Sequence, residues 1–269
     1  IMQKNHQYLF FSILSVILLF SCSEYQKILN NDDLTAKYKA AEDYYNAGEY
    51  RRANRLFEQL VPAYRGKPQA ERLVFFFADS YFNTKSYHLA AYQFENFIKS
   101  YPKSQKIEEV SFLAAKSYYM MSPAHSLDQA DTFTGLEKLQ IFINNYPDSK
   151  YLKESNKLIS ELQTKIEKKE FEIAKQYYTI YDYKAAITSF DNFIGEFVGT
   201  KFREEALFYK FLSSYEIATN SVDSKKIERL NELTPLYGAI LRYYPETLFE
   251  KDLSKKMKAI EKEINTFEN

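Results

Sequence analysis

The stretch ADSYFNTKSYHLAAYQFENF, from Ala78 to Phe97, indicates the fold because related stretches recur along the chain. AEDYYNAGEYRRANRLFEQL starts at residue 41 and AKQYYTIYDYKAAITSFDNF at residue 174, with small and aromatic residues at the same offsets. In the first copy these residues are Ala41, Tyr44, Tyr50, Ala53 and Phe57. Two antiparallel helices approach closely only where small side chains meet, and aromatic rings fill the space beside them. Each copy is therefore predicted to form a pair of helices.

Two less regular copies extend the repeat. One begins at Ala115 and carries an insertion around Ser122 to Asp128, and a weaker one lies between residues 212 and 240. Proline cannot continue a helix, and three copies have a proline after the second helix. These prolines are Pro102, Pro147 and Pro245. Since three or more copies suffice to bury the faces of a repeat fold, the sequence predicts an all-α chain, an α-solenoid of five helical pairs.

The small and aromatic positions resemble those of the tetratricopeptide repeat. The resemblance implies that the first helix of each pair lines a concave groove and directs two aligned positions into it. In the first three copies those positions are Tyr38, Tyr45, Phe75, Phe82, Phe112 and Tyr119. An exposed row of rings is costly unless a ligand covers it, so these six residues predict a peptide-binding groove. The alternative is that some rings pack between helices as core, above all the set that includes Phe75 and Phe112.

The same alignment continues into the fourth copy and adds charged positions between the rings. The fourth copy carries Phe171 and Tyr178 at the two aromatic positions. The charged residues are Glu42, Asp79, Lys116 and Lys175, in chain order. One half of the groove is therefore expected to be acidic and the other half basic.

The segment between the third and fourth copies has a different pattern. Leu152, Ile159, Ile166, Ile173 and Ile180 recur every seven residues, which predicts one apolar edge along a long helix. Polar residues flank this edge at Ser155, Lys169 and Gln176, so packing against neighbouring repeats is favoured over a self-paired coiled coil. A last apolar stripe, Leu253, Met257, Ile260 and Ile264, predicts a C-terminal cap helix.

The chain begins with an apolar run from Tyr8 to Phe20 that is shorter than the roughly 20 residues of a membrane-spanning helix. Lys4 precedes the run, and Leu19-Phe20-Ser21-Cys22 resembles a bacterial lipobox, whose cysteine is alkylated with diacylglycerol. The resemblance implies a lipoprotein signal peptide over residues 1–21 and a covalent lipid, palmitate included, on Cys22. The alternative is an ordinary secretory signal whose first mature residue is Cys22.

Nothing in the sequence indicates an enzyme, a metal site or a non-covalent cofactor. The three histidines, His6, His88 and His125, have no metal-ligand spacing, and a glycine-rich phosphate loop is absent. The 36 basic and 36 acidic residues balance, which argues against nucleic acid as a partner.

A lipobox followed at once by five helical pairs with a long central helix resembles the BamD family. These are lipoprotein subunits of the bacterial machine that folds β-barrels into the outer membrane. The resemblance implies a lipid-anchored, periplasm-facing scaffold that receives unfolded barrel precursors and docks on BamA, with further subunits of the machine as additional partners. It also implies a division into a lipidated linker (22–33), a substrate-binding half with repeats one to three (34–148), and a partner-docking half with the long helix, repeats four and five and the cap (149–269). BamA would contact the region from Phe171 to Tyr244.

Two other classes remain open at this point. One is a different tetratricopeptide lipoprotein, which would act in pilus or secretin assembly or in envelope division. The other is a glycan-binding lipoprotein similar to the SusD family, but that family uses tryptophan platforms and this chain has no tryptophan.

Overall fold

The computed structural model describes residues 24–268, and this part of the chain is helical with no strand. Residues 24–29 are helical, and twelve longer helices follow within the described range. They are α1 (Leu34–Asn46), α2 (Tyr50–Ala63), α3 (Ala70–Asn83), α4 (Tyr87–Ser100), α5 (Ile107–Met121), α6 (Ala130–Asn145), α7 (Leu152–Thr179), α8 (Tyr183–Glu196), α9 (Arg203–Thr219), α10 (Asp223–Asn231), α11 (Leu233–Tyr243) and α12 (Glu250–Glu268). Consecutive helices pack as pairs, which confirms the predicted all-α architecture of five helical pairs.

The chain divides into two compact units. Within the described residues, unit 1 comprises 24–123 and Ala130–Ile159, and unit 2 comprises Ala124–Gln129 and 160–268. This division falls within α7, and the predicted boundary between the two functional halves, at residues 148 and 149, stays a prediction. The first turns of α7 belong to unit 1 because they contact α5: Lys116 Nζ lies 2.7 Å from a carboxylate oxygen of Glu154.

The residues that defined the repeat form the core of unit 1. The small residues Ala41, Ala53, Ala78 and Ala90 are all fully buried. They let paired helices approach, and the large rings of Phe57 and Phe94 fill the space beside them and are fully buried too. The periodic pattern therefore predicted the helix-packing faces correctly.

The turn inside three of the pairs repeats as well. Gly48, Lys85 and Tyr181 share one offset in their copies, and each has a positive φ, at 77°, 62° and 66° respectively. In each case this residue and the next donate backbone hydrogen bonds into the preceding helix, for example Lys85 N to Phe82 O and Ser86 N to Tyr81 O. This is the Schellman helix end, in which a left-handed residue stops the first helix and reverses the chain.

Unit 2 has its own core, which differs from the sequence expectation in the fifth pair. The second element of that pair is split into α10 and α11, because Pro235 lacks the N–H that a continuous helix would need there. Leu230 and Leu233 flank the break and are both fully buried. The predicted cap stripe packs into the same core through Leu253, Met257 and Ile260.

The apolar edge predicted along α7 does not pack as expected at its C-terminal end. Ile173 and Ile180 are 39% and 58% exposed, so the interpretation that this stripe packs against neighbouring repeats is wrong for these two residues. The buried side of that part of α7 carries Phe171 and Ala174 instead. A straight helix drifts by about 20° per heptad, so a seven-residue repeat rotates away from a fixed neighbour along a long helix.

The segment before α1 is ordered where it was expected to be a linker. Within residues 24–29, Tyr25, Ile28 and Leu29 pack against the first core of unit 1. The ring of Tyr25 makes an edge-to-face contact with Tyr44, with centroids 5.5 Å apart, and its hydroxyl donates to Arg52 O at 3.2 Å. The predicted signal peptide and Cys22 lie outside the described residues.

Candidate peptide-binding face

The first helices of unit 1 carry aromatic and charged residues on one side. In α1, Tyr38, Glu42 and Tyr45 are spaced by four and three residues, which places them on one face of the helix. The aligned residues of α3 and α5 follow the same spacing. We call this surface the first-helix face, comprising Tyr38, Glu42, Tyr45, Asp79, Phe82, Lys116 and Tyr119.

Two of the six predicted groove residues belong to the core. Phe75 is 6% exposed and contacts Phe97, and Phe112 is 2% exposed and stacks flat on Tyr151 with centroids 4.5 Å apart. Their burial leaves no surface for a ligand. The core alternative thus describes these two rings, and in unit 2 it also describes the fully buried Phe171.

The other four predicted rings, Tyr38, Tyr45, Phe82 and Tyr119, are half-buried. Tyr38 lies against Tyr64, with centroids 5.3 Å apart, and Phe82 makes an edge contact with Tyr87 at 5.5 Å. Each of these two rings is therefore held by a neighbouring ring while part of its surface stays open to solvent.

Tyr45 is fixed most firmly. Its ring stacks on Phe76 at 4.2 Å, and its hydroxyl donates a 2.6 Å hydrogen bond to Asp79 Oδ2. Burial, and then the Asp79 carboxylate, raise the pKa of Tyr45. Burial also raises the pKa of Asp79, against the opposing effect of the hydrogen bonds from Tyr45 and Asn83. The pair joins α1 to α3 within unit 1.

Three of the four charged residues between the rings form an ion pair with the next first helix, whereas Asp79 accepts hydrogen bonds from Tyr45 and Asn83. Glu42 lies 3.1 Å from Arg72, and Lys116 lies 2.7 Å from Glu154. In unit 2, Lys175 lies 3.0 Å from Glu205 in the same way. The expected acidic and basic halves are therefore present as residue types, but Glu42, Lys116 and Lys175 are neutralised by their partners, which connect successive first helices.

A repeated contact that sequence reasoning missed lies at the junctions between pairs. In each case a serine or threonine lies just before a first helix, and its hydroxyl oxygen accepts a hydrogen bond from the backbone N–H two residues further on. The same hydroxyl donates a hydrogen bond to a glutamate of the preceding first helix. The four pairs are Ser104–Glu71, Ser149–Glu108, Thr200–Glu167 and Thr247–Glu204. The sequence signal for this contact is the serine or threonine that ends YPKS, YPDS and YPET.

Unit 1 also contains two cavities between successive second helices. One, of about 660 Å³, lies between α2, α3 and α4, and we call it the Tyr92 groove. Its lining includes Val61, Arg65, Val74, Tyr92, Asn96 and Lys99. The other, of about 220 Å³, lies between α4, α5 and α6. There Glu95 accepts hydrogen bonds from Lys138 at 2.8 Å and from Tyr118 at 3.0 Å.

Within residues 24–268, no group of histidine, cysteine, aspartate and glutamate side chains is arranged to hold a metal ion. Over the same residues, no helix combines the length and the apolar character that a membrane span needs.

Tandem helical pairs, with a Schellman turn inside three of them, define a tetratricopeptide-like helical repeat protein. Residues 30–230 match the family model YfiO, described as an outer membrane lipoprotein, and the chain belongs to that family. A search of curated proteins gave no match. Among solved structures, a chain from work titled "Computational Design of Self-Assembling Cyclic Protein Homooligomers" is 10% identical, with 95% of this chain and 94% of that chain covered and a TM-score of 0.16, too low to support any argument.

Proposed function

We propose that this chain is a non-enzymatic scaffold lipoprotein of the β-barrel assembly machinery. It receives unfolded outer membrane protein precursors on the first-helix face and docks on a BamA-type barrel protein for their insertion. The observation that carries the proposal is the row of half-buried rings on three consecutive first helices, in a chain of the YfiO family.

The state of these rings suits the capture of an extended segment. Tyr45 is held by Phe76 and Asp79, and Tyr38 by Tyr64, so little side-chain entropy is lost when a ligand covers them. Aromatic anchors of this kind dominate binding energy at interfaces. Because Glu42 and Lys116 are already paired and Asp79 is occupied by Tyr45 and Asn83, specificity for the precursor rests on its apolar and aromatic side chains.

Docking on the barrel protein is assigned to unit 2. The end of α7 and the following turn expose Ile173, Tyr177, Ile180 and Tyr181 by 36–78%, and large exposed apolar surfaces mark interaction sites. These residues lie within the region from Phe171 to Tyr244 that the family resemblance assigned to BamA. Further subunits of the machine are additional candidate partners.

The membrane attachment in this proposal is a covalent lipid on Cys22 in the outer membrane, with the repeats in the periplasm. One acyl chain of fourteen carbons gives only marginal membrane binding, with a constant of about 10⁴ M⁻¹, whereas two or more chains anchor a protein stably. The packing of Tyr25 on Tyr44 supports a short tether, because Tyr25 is only three residues from Cys22 in the sequence.

The second candidate function is that of another tetratricopeptide lipoprotein, in pilus or secretin assembly or in envelope division. It shares the family's lipid attachment and the helical pairs but requires a different partner. Partner identity therefore separates the two candidates.

The precursor site is tested by combining Phe82→Ala with Tyr119→Ala and measuring the binding of a peptide from the C-terminus of a barrel precursor. We expect a loss of at least about 1 kcal/mol of binding free energy with helicity retained. Phe133→Ala is the control, since Phe133 lies on α6 and is 57% exposed. Unchanged affinity in the double variant would show that the peptide does not bind at the first-helix face.

A further inference from the structure

The segment before α1 meets unit 1 at the edge that carries the within-pair turns. Tyr25 contacts the ring of Tyr44, near the end of α1, and its hydroxyl donates to the backbone oxygen of Arg52 in the first turn of α2. Helices joined by short loops run antiparallel, so the turns at Gly48 and Lys85 share one edge of unit 1 and the between-pair loops lie at the other. The two edges are about 21 Å apart, the length of a helix of 14 residues.

The edge with the within-pair turns carries a group of basic side chains. Arg52 lies over the ring of Tyr25, 5.5 Å from its centroid. Burial raises the pKa of Tyr25, and the nearby charges of Arg55 and Arg52 oppose that rise. Arg51, Arg52 and Lys85 line one cavity of about 570 Å³ between the two turns. We call these four cations the basic edge: Arg51, Arg52, Arg55 and Lys85.

Acidic residues offset only part of the charge of the basic edge. Glu49 lies 2.6 Å from Arg52 and pairs with it. Arg55 lies 3.7 Å from a glutamate one turn further along α2, but the two side chains are 72% and 56% exposed, so this pair contributes little. Arg51 and Lys85 are exposed, and neither takes part in an ion pair within residues 24–268. The basic edge therefore presents a net positive charge to solvent.

The sequence connects the basic edge to the proposed lipid. Cys22 precedes Tyr25 by three residues, and three fully extended residues span at most about 11 Å. If Cys22 carries a lipid, the bilayer surface lies within reach of the basic edge, whereas the opposite edge is about 21 Å further along the helices. Glu24 and Lys27 of the intervening segment have opposite charges and leave the net charge of this region unchanged.

We propose that the basic edge binds the phosphate groups of anionic phospholipids and so turns this edge of unit 1 toward the membrane. The inference rests on the lipid attachment in the proposed function and adds an orientation of the repeats to it. An anionic lipid surface attracts nearby basic side chains, and each contributes about a fivefold factor to binding. A guanidinium also donates two parallel hydrogen bonds to a phosphate. Because the covalent lipid already holds the chain at the surface, weak additional contacts suffice to select one orientation.

Energy transfer from tryptophan to dansyl-labelled lipid headgroups measures this orientation, because the chain has no natural tryptophan. One reporter is His88→Trp, at the start of α4 beside the basic edge. The other is Gln105→Trp, in the loop between α4 and α5 at the opposite edge, and both residues are exposed. The mature, lipidated chain is reconstituted in phosphatidylcholine vesicles with or without phosphatidylglycerol, and mass spectrometry verifies the lipid on Cys22.

We expect stronger transfer from His88→Trp than from Gln105→Trp in the vesicles that contain phosphatidylglycerol. The difference should shrink in pure phosphatidylcholine and at high salt, because both remove the attraction between the cations and the lipid surface. Circular dichroism verifies that every variant keeps its helicity.

The test variant adds Arg51→Gln, Arg55→Gln and Lys85→Gln to each reporter. Removal of three cations should lower the equilibrium constant for the docked orientation about tenfold or more, seen as a loss of the difference between the reporters.

The matched control adds Arg65→Gln, Lys99→Gln and Lys103→Gln, which removes three exposed cations at the opposite edge of unit 1. It should leave the transfer from both reporters unchanged.

Two results would overturn the proposal. Equal transfer from the two reporters in the presence of phosphatidylglycerol would show that the basic edge does not face the membrane. Equal reduction of the difference in both triple variants would show attraction to the overall charge and not to this edge. A chain without lipid on Cys22 would contradict the proposed attachment together with this inference, whereas a lipidated chain with equal transfer would contradict this inference alone.

Discussion

Tyr45 and Asp79 connect the first helices of the first two pairs through a 2.6 Å hydrogen bond from the Tyr45 hydroxyl to the Asp79 carboxylate. Burial disfavours the ionised form of this carboxylate and so raises the pKa of Asp79. The Tyr45 ring is at the same time part of the candidate peptide-binding face. The contact therefore has two roles, since it joins α1 to α3 and also fixes a ring that a peptide would cover.

Tyr45→Phe removes this hydrogen bond and leaves Asp79 with fewer donors. We expect a loss of about 1.5–3 kcal/mol of unfolding free energy near neutral pH, the range for a hydrogen bond to a charged group. Urea unfolding measures it, and Tyr50→Phe is the control, since Tyr50 contacts the Tyr45 ring by its edge.

The loss of unfolding free energy caused by Tyr45→Phe should become smaller as the pH falls. Burial raises the pKa of Asp79, the hydrogen bond from Tyr45 opposes that rise, and the variant lets the pKa rise further. A carboxyl group whose folded-state pKa exceeds its unfolded value destabilises the fold once it ionises. The loss of unfolding free energy caused by Tyr45→Phe is therefore largest above the folded-state pKa of Asp79 and becomes smaller as the pH falls through that pKa. A cost that grows on acidification would contradict the role given to Asp79.

The pKa of Glu95 is shifted in the opposite direction to that of Asp79. Burial acts to raise its pKa, but hydrogen bonds from Lys138 and Tyr118 outweigh this and hold the pKa below the ordinary value of 4.5. Its contribution to stability is therefore present above pH 4.5 and is lost as pH falls through the folded pKa.

Glu95→Gln should accordingly destabilise unit 1 at neutral pH and match the unmodified chain at low pH. Urea midpoints across this pH range measure the difference. Glu58→Gln, at an exposed pair with Arg55, serves as the control and should change little at any pH. A constant difference for Glu95→Gln would mean that its charge does not matter.

Ser104→Ala tests the junction contact. The Ser104 hydroxyl donates to Glu71 at 2.6 Å and accepts from Lys106 N at 3.0 Å, so its removal leaves two polar groups without this partner. We expect a loss of about 1–3 kcal/mol in thermal or urea unfolding. Ser126 lies in an exposed loop, so Ser126→Ala should leave the stability unchanged. Equal losses of stability in the two variants would contradict a stabilising role of the junction hydrogen bonds.

Much of the fold could be predicted from the sequence, because small residues such as Ala41 and Ala78 recur at fixed offsets and only a close helix pair uses them so. The candidate site was harder to predict. Phe75 and Phe82 both lie on α3 and look alike in sequence, but only Phe75 is buried, since its neighbours include Phe97 of the next helix.

Contacts between pairs were not predictable from a pattern within one pair. Lys116 reads as a basic groove residue until Glu154, 38 positions later, is found to neutralise it. Likewise Ser104 reads as a polar residue after a proline until its bond to Glu71 is seen. Ile173 was misjudged for a geometric reason, because a seven-residue period does not remain on one side of a straight helix.

Cys22→Ser tests the lipid attachment. If the lipid on Cys22 is what holds the chain at the membrane, its loss should release a folded domain into the soluble fraction when the partners are absent. Membrane fractionation with circular dichroism measures both properties. A variant that stays in the membrane fraction without partners would contradict a lipid anchor at this residue.

The central claim is that this chain works with a BamA-type barrel protein, and affinity purification tests it most directly. A tagged copy at its natural expression level is recovered from detergent-solubilised membranes of the native host, and the co-eluting proteins are identified by mass spectrometry. We predict recovery of a large β-barrel protein with periplasmic repeats. Recovery of a secretin or pilus component in its place would contradict the account.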